Sequence, residues 1–343
     1  MVPAGVVVSP DGSNVYVASA GAGSIAVFSR NAKTSILNQL PQPHGCIDAK
    51  GPYHEPACTI GRAVGGAQDV AVSPDGKNVY VTTFFGLAIF SRDLDDGSLT
   101  QLPGTRGCIN GDVLPAPGCE VVGEPMDGAT DLAVSPNGKQ VYVVTSGPAS
   151  QGGPPGLRGS LLVFARNAGD GSLSLQQCLI DRSQHRAGCE RRRALIKPFD
   201  LALSGDGNHA YVLPVRPQAI DLFEIAADGT LRQPEGKRAC IVSRSARHNA
   251  SRCRRGIKRV TDINNVAVKR GNLYASGTGN NTVGVFARDR PGGALRQRRH
   301  GCLGRPCGER IKGLSDPSAV VPSPDARNLY VVSSNSVSAL RRR

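Results

Sequence analysis

The most constraining feature of the sequence is a segment that occurs six times in nearly the same form. Each copy contains an apolar run, a tight turn and a second apolar run. The copies read GVVVSPDGSNVYVAS, DVAVSPDGKNVYVTT, DLAVSPNGKQVYVVT, DLALSGDGNHAYVLP, NVAVKRGNLYASG and AVVPSPDARNLYVVS. The turns are anchored at Ser9, Ser73, Ser135, Ser204, Lys269 and Ser323, so neighbouring copies lie 54 to 69 residues apart. Periods this regular predict a repeat fold.

Each repeat is predicted to contain four antiparallel strands. The first is an almost unbroken apolar run such as Val70-Ala71-Val72, which is typical of a strand buried on both faces. Pro-Asp-Gly then favours a tight turn, and an Asp-Gly hairpin precedes a short fourth strand. Four such strands form one blade, so the sequence predicts an all-β β-propeller with six visible blades, or seven if the N-terminus is truncated. A single domain over 1–343 is expected, with repeats at about 1–65, 66–127, 128–196, 197–261, 262–315 and an incomplete 316–343.

Aromatic residues recur at two fixed repeat positions. The second strand carries Tyr16, Tyr80, Tyr142, Tyr211, Tyr274 and Tyr330, and the third carries Phe28, Phe90, Phe164, Phe223 and Phe286. Recurrence in every repeat favours packing between blades over a ligand platform.

Ten cysteines fall into five close pairs, each after a fourth strand. The pairs are Cys46 with Cys58, Cys108 with Cys119, Cys178 with Cys189, Cys240 with Cys253 and Cys302 with Cys307. This spacing predicts five local disulfides. Nearby histidines, such as His44 and His185, leave a zinc site as the alternative, but no CxxC motif supports it. Disulfides indicate an oxidising compartment, so the protein is expected to be secreted or at the cell surface.

Both ends of the chain bear on that expectation. Residues 1–8 run directly into the first strand without a signal peptide, and the sixth repeat ends after its third strand. An upstream segment that supplies a signal peptide, a fourth strand and a cysteine loop is therefore expected. No apolar stretch is long enough for a membrane span. A monomer is expected unless the open last blade associates.

The net charge of +14 is concentrated in the later cysteine loops. The candidate binding residues are Arg244, Arg247, Arg252, Arg254, Arg255, Lys258 and Arg259. Such a cluster favours an anionic polysaccharide or cell-envelope polymer as partner. Nucleic acid is not expected, because no aromatic side chains are interleaved for base stacking. A compositional bias towards arginine is the alternative explanation.

A second candidate site lies at the starts of the first strands. Asp69, Asp131, Asp200 and Asn265 occupy equivalent positions and are predicted to converge at the mouth of the central channel. Their oxygens could bind Ca²⁺, although short polar side chains at such positions also cap backbone groups. The sequence predicts no other cofactor.

The repeats resemble the YVTN family of β-propellers, which is related to the seven-bladed lactonases. The resemblance spans the chain and rests on the Ser-Pro-Asp-Gly turns at 9–12 and 73–76 and on Tyr-Val-Thr-Thr at 80–83. It implies that channel histidines would mark a lactonase, but the matching positions 67–69, 129–131 and 198–200 contain none. A binding or scaffold protein is therefore predicted, and its being an enzyme stays open. The alternative is a 6-phosphogluconolactonase-like hydrolase that uses Asp69, Asp131 and Asp200.

Overall fold

The computed structural model describes residues 3–49, 55–112, 116–147, 159–216, 218–243, 253–308 and 311–341. It is all-β, and its six small, mainly antiparallel sheets form a six-bladed β-propeller, which confirms the predicted fold class. The chain divides into two compact units, Met1–Arg191 and Arg192–Arg343, with three blades each. No helix in the described part of the chain is long and apolar enough to cross a membrane.

The first unit contains blades 1 to 3. Blade 1 comprises β1 (Pro3–Val8), β2 (Asn14–Ser19), β3 (Ser24–Arg30), β4 (Leu37–Gln39), β5 (Cys46–Ala49) and β6 (Thr59–Gly61). Blade 2 comprises β7 (Ala67–Val72), β8 (Asn78–Thr83), β9 (Gly86–Arg92), β10 (Leu99–Gln101), β11 (Cys108–Asn110) and β12 (Glu120–Val121). Blade 3 comprises β13 (Ala129–Val134), β14 (Gln140–Thr145), β15 (Ser160–Arg166), β16 (Leu173–Asp181) and β17 (Glu190–Arg192).

The second unit contains blades 4 to 6. Blade 4 comprises β18 (Ile196–Leu203), β19 (His209–Arg216), β20 (Ala219–Ile225), β21 (Leu231–Arg232), β22 (Cys240–Ser243) and β23 (Arg254–Ile257). Blade 5 comprises β24 (Ile263–Lys269), β25 (Asn272–Gly277), β26 (Thr282–Arg288) and β27 (Leu295–Leu303). Blade 6 comprises β28 (Ala319–Pro322), β29 (Asn328–Ser333) and β30 (Ser336–Arg341).

In blades 2 and 3, the second strand is more buried than the first. Every residue of β8 and β14 is buried, whereas β7 and β13 are buried only at every third position. The prediction that the first strand is buried on both faces is therefore wrong. The first strand lies at the edge of its sheet, whereas the second lies between the first and third strands.

The disulfide prediction is confirmed. The five bonds join Cys46 to Cys58, Cys108 to Cys119, Cys178 to Cys189, Cys240 to Cys253 and Cys302 to Cys307. Their Cα–Cα distances are 4.6 to 5.7 Å, and no cysteine is free. These bonds are consistent with folding in an oxidising environment.

The outer part of the blades contains a strand that the sequence did not predict. In blade 1, β4 pairs with one end of β3 and β5 with the other, and β6 then pairs with β5 in parallel. Cys46 lies in β5, and Cys58 immediately precedes β6. The disulfide therefore fastens an added edge strand. Blades 2 and 4 repeat the arrangement, with Cys119 and Cys253 immediately before β12 and β23.

Blades 3 and 5 depart from the predicted position of the cysteines. Cys178 and Cys302 lie within the fourth strands β16 and β27, not after them, because each of these strands continues for nine residues. Cys189 immediately precedes the edge strand β17, as its equivalents do in other blades. Cys307 instead ends a short 3₁₀ helix, Arg305–Cys307. Among the described residues of blade 5, no edge strand follows it.

Candidate functional site

In the second unit, polar side chains at the starts of the first strands connect neighbouring blades. The Asn265 amide donates a hydrogen bond of 2.9 Å to Asp200 Oδ1, and the backbone N–H of Val266 donates one of 2.8 Å to Asp200 Oδ2. Asn265 Oδ1 in turn accepts a hydrogen bond of 2.9 Å from the N–H of Val320. Blades 4, 5 and 6 are thus joined through these two side chains.

In the first unit the equivalent positions are both aspartates. The Asp69 carboxyl is hydrogen-bonded to the Asp131 carboxyl and to the backbone N–H of Leu132. That N–H also lies 2.8 Å from Asp131 Oδ1. Two carboxylates have no proton to donate to each other, so this contact favours a pair that holds one proton.

Burial reinforces this protonation state. It raises the pKa of the Asp69 carboxyl, and the contacts with Asp131 and with the backbone N–H groups of Val70 and Leu132 only partly offset the effect. Both residues nevertheless remain partly exposed to solvent. The result is a carboxyl pair in which one group can donate a proton while the other accepts one.

Gly5 allows the first strand of blade 1 to lie against this pair. A Cβ atom at Gly5 would stand 2.5 Å from Asp69 Oδ1 and 2.7 Å from Asp69 Cα. Any larger residue would therefore displace the carboxyl, so the glycine that interrupts the Asp/Asn pattern in the first repeat has a steric reason.

The four predicted channel residues thus occur as two hydrogen-bonded pairs, Asp69 with Asp131 and Asp200 with Asn265. Both oxygens of Asp200 already accept hydrogen bonds from the protein. Binding of Ca²⁺ at these positions stays a prediction.

The basic residues of the fourth cysteine loop are only partly within the described chain. Arg244, Arg247 and Arg252 lie outside the described residues. Four further candidates are exposed on or just after β23: Arg254, Arg255, Lys258 and Arg259. Arg254 also lines a pocket with Lys237 and Arg238, above an apolar floor that includes Leu222 and Leu295.

One group of potential metal ligands occurs among the described residues, at Asp221, Cys240 and Cys253. The two sulfurs are bonded to each other, so neither is available as a thiolate ligand. The zinc alternative therefore does not fit this group.

An arginine network that the sequence did not predict joins neighbouring blades. Arg92, at the end of β9, donates to Asp11 and Asn14 of blade 1 through Nη2, at 2.8 and 2.6 Å. Its Nε donates to the Tyr16 hydroxyl, which donates to the carbonyl of Gly97 in blade 2, both at 2.8 Å. Burial raises the pKa of Tyr16 to about 12, so its hydroxyl keeps its proton at neutral pH.

The same network recurs between other blades. Arg166 of blade 3 contacts Asp75, Asn78 and Tyr80 of blade 2. In the second unit, Arg288 contacts the Tyr211 hydroxyl and lies 3.6 Å from Asp206. The sequence signal was present, because a Phe-x-Arg motif ends the third strand of repeats one, two, three and five.

The chain is similar in fold to solved lactonase-like propellers. A candidate 6-phosphogluconolactonase from Bacteroides uniformis superposes with a TM-score of 0.63 and 17% identity, over 99% of this chain and 80% of that one. A second, from Bacteroides fragilis, gives 0.63 and 16% over the same shares. The periplasmic gluconolactonase of Pseudomonas aeruginosa gives 0.52 and 19%, over 87% and 69%. No protein-family model and no curated protein matches the chain.

Proposed function

We propose that the protein hydrolyses a lactone with the Asp69–Asp131 pair as its acid and base. The observation that carries the proposal is the contact between these two partly exposed carboxyls, at which burial raises the pKa of Asp69. The fold likeness to proteins described as lactonases supports the same reaction class. It is preferred over the binding or scaffold function predicted from the sequence, which lacks comparable support.

The reaction needs one group of each kind. Asp131, as the carboxylate, would take a proton from a water molecule whose oxygen attacks the lactone carbonyl. Asp69, as the acid, would give its proton to the ring oxygen when the C–O bond breaks. The pair ends with one proton, and the product is a hydroxy acid. This division of roles is expected because two carboxyl groups at close range cannot both ionise.

Asp131→Asn is the decisive variant, because it reproduces the Asp200–Asn265 arrangement that the second unit already contains. A panel of γ- and δ-lactones would be followed by pH-stat titration. We expect wild-type hydrolysis, a kcat lower by about 10²- to 10⁴-fold in the variant, and little change for Asp200→Asn. Activity retained in Asp131→Asn, or no hydrolysis of any lactone by the wild type, would overturn the proposal.

The pH dependence separates a catalytic from a structural effect. The folded chain keeps the Asp69 proton above the pH at which an unfolded aspartate releases it. Stability therefore falls as pH rises from the ordinary aspartate pKa through the raised one. In Asp131→Asn the amide would donate to an ionised Asp69, so this fall should be smaller. The variant is thus expected to be inactive yet at least as stable at neutral pH.

A basic surface in the second unit favours a second candidate function, the binding of an anionic polymer. We define it by Lys237, Arg238, Arg254, Lys258, Arg259, Arg296 and Arg299, all of which are exposed. Within the described chain, none of these side chains forms an ion pair. The same hypothesis includes secretion, which the disulfides support. It also includes membership of the YVTN-type propellers.

A further inference from the structure

A pocket with a basic rim lies between blades 4 and 5, within the second unit. Its volume is about 100 Å³. The floor consists of buried apolar side chains from both blades: Ile220, Leu222, Ile241, Ala294 and Leu295. The rim consists of the exposed side chains of Lys237, Arg238 and Arg254. The pocket therefore combines positive charge with apolar surface.

The equivalent corner between blades 2 and 3, within the first unit, contains an ion pair. Arg106 and Arg238 occupy equivalent positions, because each lies two residues before the first cysteine of its blade. Arg106 Nη1 lies 2.6 Å from Oδ2 of Asp170, which belongs to the hairpin of blade 3. The arginine at this corner thus has an acidic partner from the following blade.

Blade 5 has no aspartate at that place. Gly292 is equivalent to Asp170, because the residue after each is a glycine whose carbonyl accepts a hydrogen bond from the tyrosine hydroxyl of the preceding blade. A Cβ atom at Gly292 would overlap Nη2 of Arg238, so the guanidinium lies directly against the glycine. Within the described chain, Arg238 forms no ion pair.

A second exchange adds positive charge to the same pocket. Arg254 directly follows the second cysteine of blade 4, and its equivalent in blade 2 is Glu120. Both residues lie opposite an isoleucine of the neighbouring parallel strand. Lys237 likewise takes the place of Thr105. The corner between blades 4 and 5 is therefore cationic where the corner between blades 2 and 3 has two acidic groups and one arginine.

Three cations beside an apolar floor fit an anion that carries an apolar body. A phosphate monoester has a charge of about −1.5 to −2 at neutral pH and three acceptor oxygens, and guanidinium groups bind such oxygens in pairs. A closed cavity of about 150 Å³ holds a benzene ring. This smaller but open pocket therefore has room for part of a phenyl ring or for a short branched alkyl group.

We propose that the pocket between blades 4 and 5 binds a phosphate monoester of a small aromatic or branched alcohol. The phosphate would lie among Lys237, Arg238 and Arg254, and the apolar body would contact Leu222 and Leu295. The proposal is independent of lactone hydrolysis. It also differs from polymer binding by the basic surface, because it requires the apolar floor.

The ligand class is tested by isothermal titration calorimetry of the full chain. Phenyl phosphate should bind at least about tenfold more tightly than inorganic phosphate, because its ring is removed from water, and more tightly than phenol, which lacks the charge. A phosphotyrosine pentapeptide would be compared with it: tighter binding of the peptide assigns the ester to a protein partner, and tighter binding of phenyl phosphate to a free small molecule. Wild-type protein that does not bind phenyl phosphate, or binds it no more tightly than inorganic phosphate, would overturn the proposal.

The glycine of the blade 5 hairpin offers a matched pair of variants. Gly292→Asp restores the acidic group found at Asp170, and its carboxylate should compete for Arg238 and weaken phenyl phosphate binding at least about tenfold. Gly292→Asn has nearly the same size and no charge, so it should weaken binding less than about threefold. Equal losses in the two variants would show that the charge of the rim does not hold the ligand.

A further variant separates the pocket from the basic surface. Lys258→Glu with Arg259→Glu should lower retention on a heparin-type resin but change phenyl phosphate binding less than about threefold, because neither residue lines the pocket. Far-UV circular dichroism and the melting temperature would confirm that each variant is folded. A loss of phenyl phosphate binding as large as that of Gly292→Asp would assign the ligand to general surface charge and overturn the pocket proposal.

Discussion

In blades 1, 2 and 4, the tyrosine of the second strand both packs in the core and bonds to a network arginine. The ring of Tyr80 fills the core of the first unit, and its hydroxyl accepts from Arg166 Nε and donates to the carbonyl of Gly171, both at 2.8 Å. The recurrence of tyrosine predicted packing between blades. It could not predict the hydroxyl contacts, because they depend on an arginine 86 residues away that only the fold brings close.

Tyr80→Phe should therefore destabilise the protein although the ring is kept. Removing the hydroxyl leaves Arg166 Nε and the Gly171 carbonyl buried without a partner, which costs about 1–3 kcal/mol. Equilibrium unfolding in urea measures this loss. Tyr330→Phe is the matched control and should cost under about 0.5 kcal/mol, since its side chain is partly exposed. Equal losses at the two positions would contradict the role assigned to the hydroxyl.

At the scale of the strands, the cysteine pairs do more than close loops. The sequence predicted the pairing from spacing alone, because each partner lies far nearer to the other than to the next repeat. It did not predict β6, β12 or β23, because runs of two to four residues such as Glu120–Val121 carry no periodic pattern. These strands are held by parallel pairing and by the adjacent disulfide.

Removal of one bond should release its edge strand. The double variant Cys108→Ser with Cys119→Ser should lower the free energy of unfolding by about 2–4 kcal/mol. It should also speed hydrogen exchange at the Val122 amide, which donates to the Asn110 carbonyl at 3.1 Å.

The control for this prediction is Cys302→Ser with Cys307→Ser. These two cysteines are less buried than Cys108 and Cys119 and close a shorter loop, so a smaller loss of stability is expected. Hydrogen exchange at Val122 should stay as in the wild type. Unchanged exchange at Val122 after removal of the bond between Cys108 and Cys119 would show that β12 does not need the disulfide.

At the scale of the whole molecule, the repeat period was sufficient to predict the propeller, because six similar turns leave few other ways to bury the strands. Comparison of the repeats was also sufficient to place Asp69 and Asp131 at equivalent positions. The repeats could not predict the protonation state of this pair, because whether Asp69 and Asp131 share a proton depends on burial and on a hydrogen bond between blades. The basic residues were equally visible in the sequence, but their roles were not.

Arg62 shows that a basic side chain can have a structural role that its charge does not indicate. Its side chain donates to the carbonyls of Gly104, Gly118 and Leu102 at 2.8 to 2.9 Å, so it fastens blade 2 to the preceding loop. A charge count treats it like any exposed arginine. Reversal of this residue would disturb the fold and say nothing about a ligand.

The basic surface can be tested at three exposed residues, of which, within the described chain, only Arg254 has a side-chain contact to a backbone carbonyl, a long one of 3.5 Å to Leu295. Arg254→Glu, Lys258→Glu and Arg259→Glu together should remove most retention on a heparin-type resin, and wild-type retention should weaken steeply with salt. The matched control is Lys33→Glu, Lys77→Glu and Lys139→Glu, an equal charge change at exposed positions of the first unit. If both sets reduce retention equally, net charge rather than this surface holds the polymer. If wild type is not retained at low salt, the basic surface has no anionic-polymer partner of this kind.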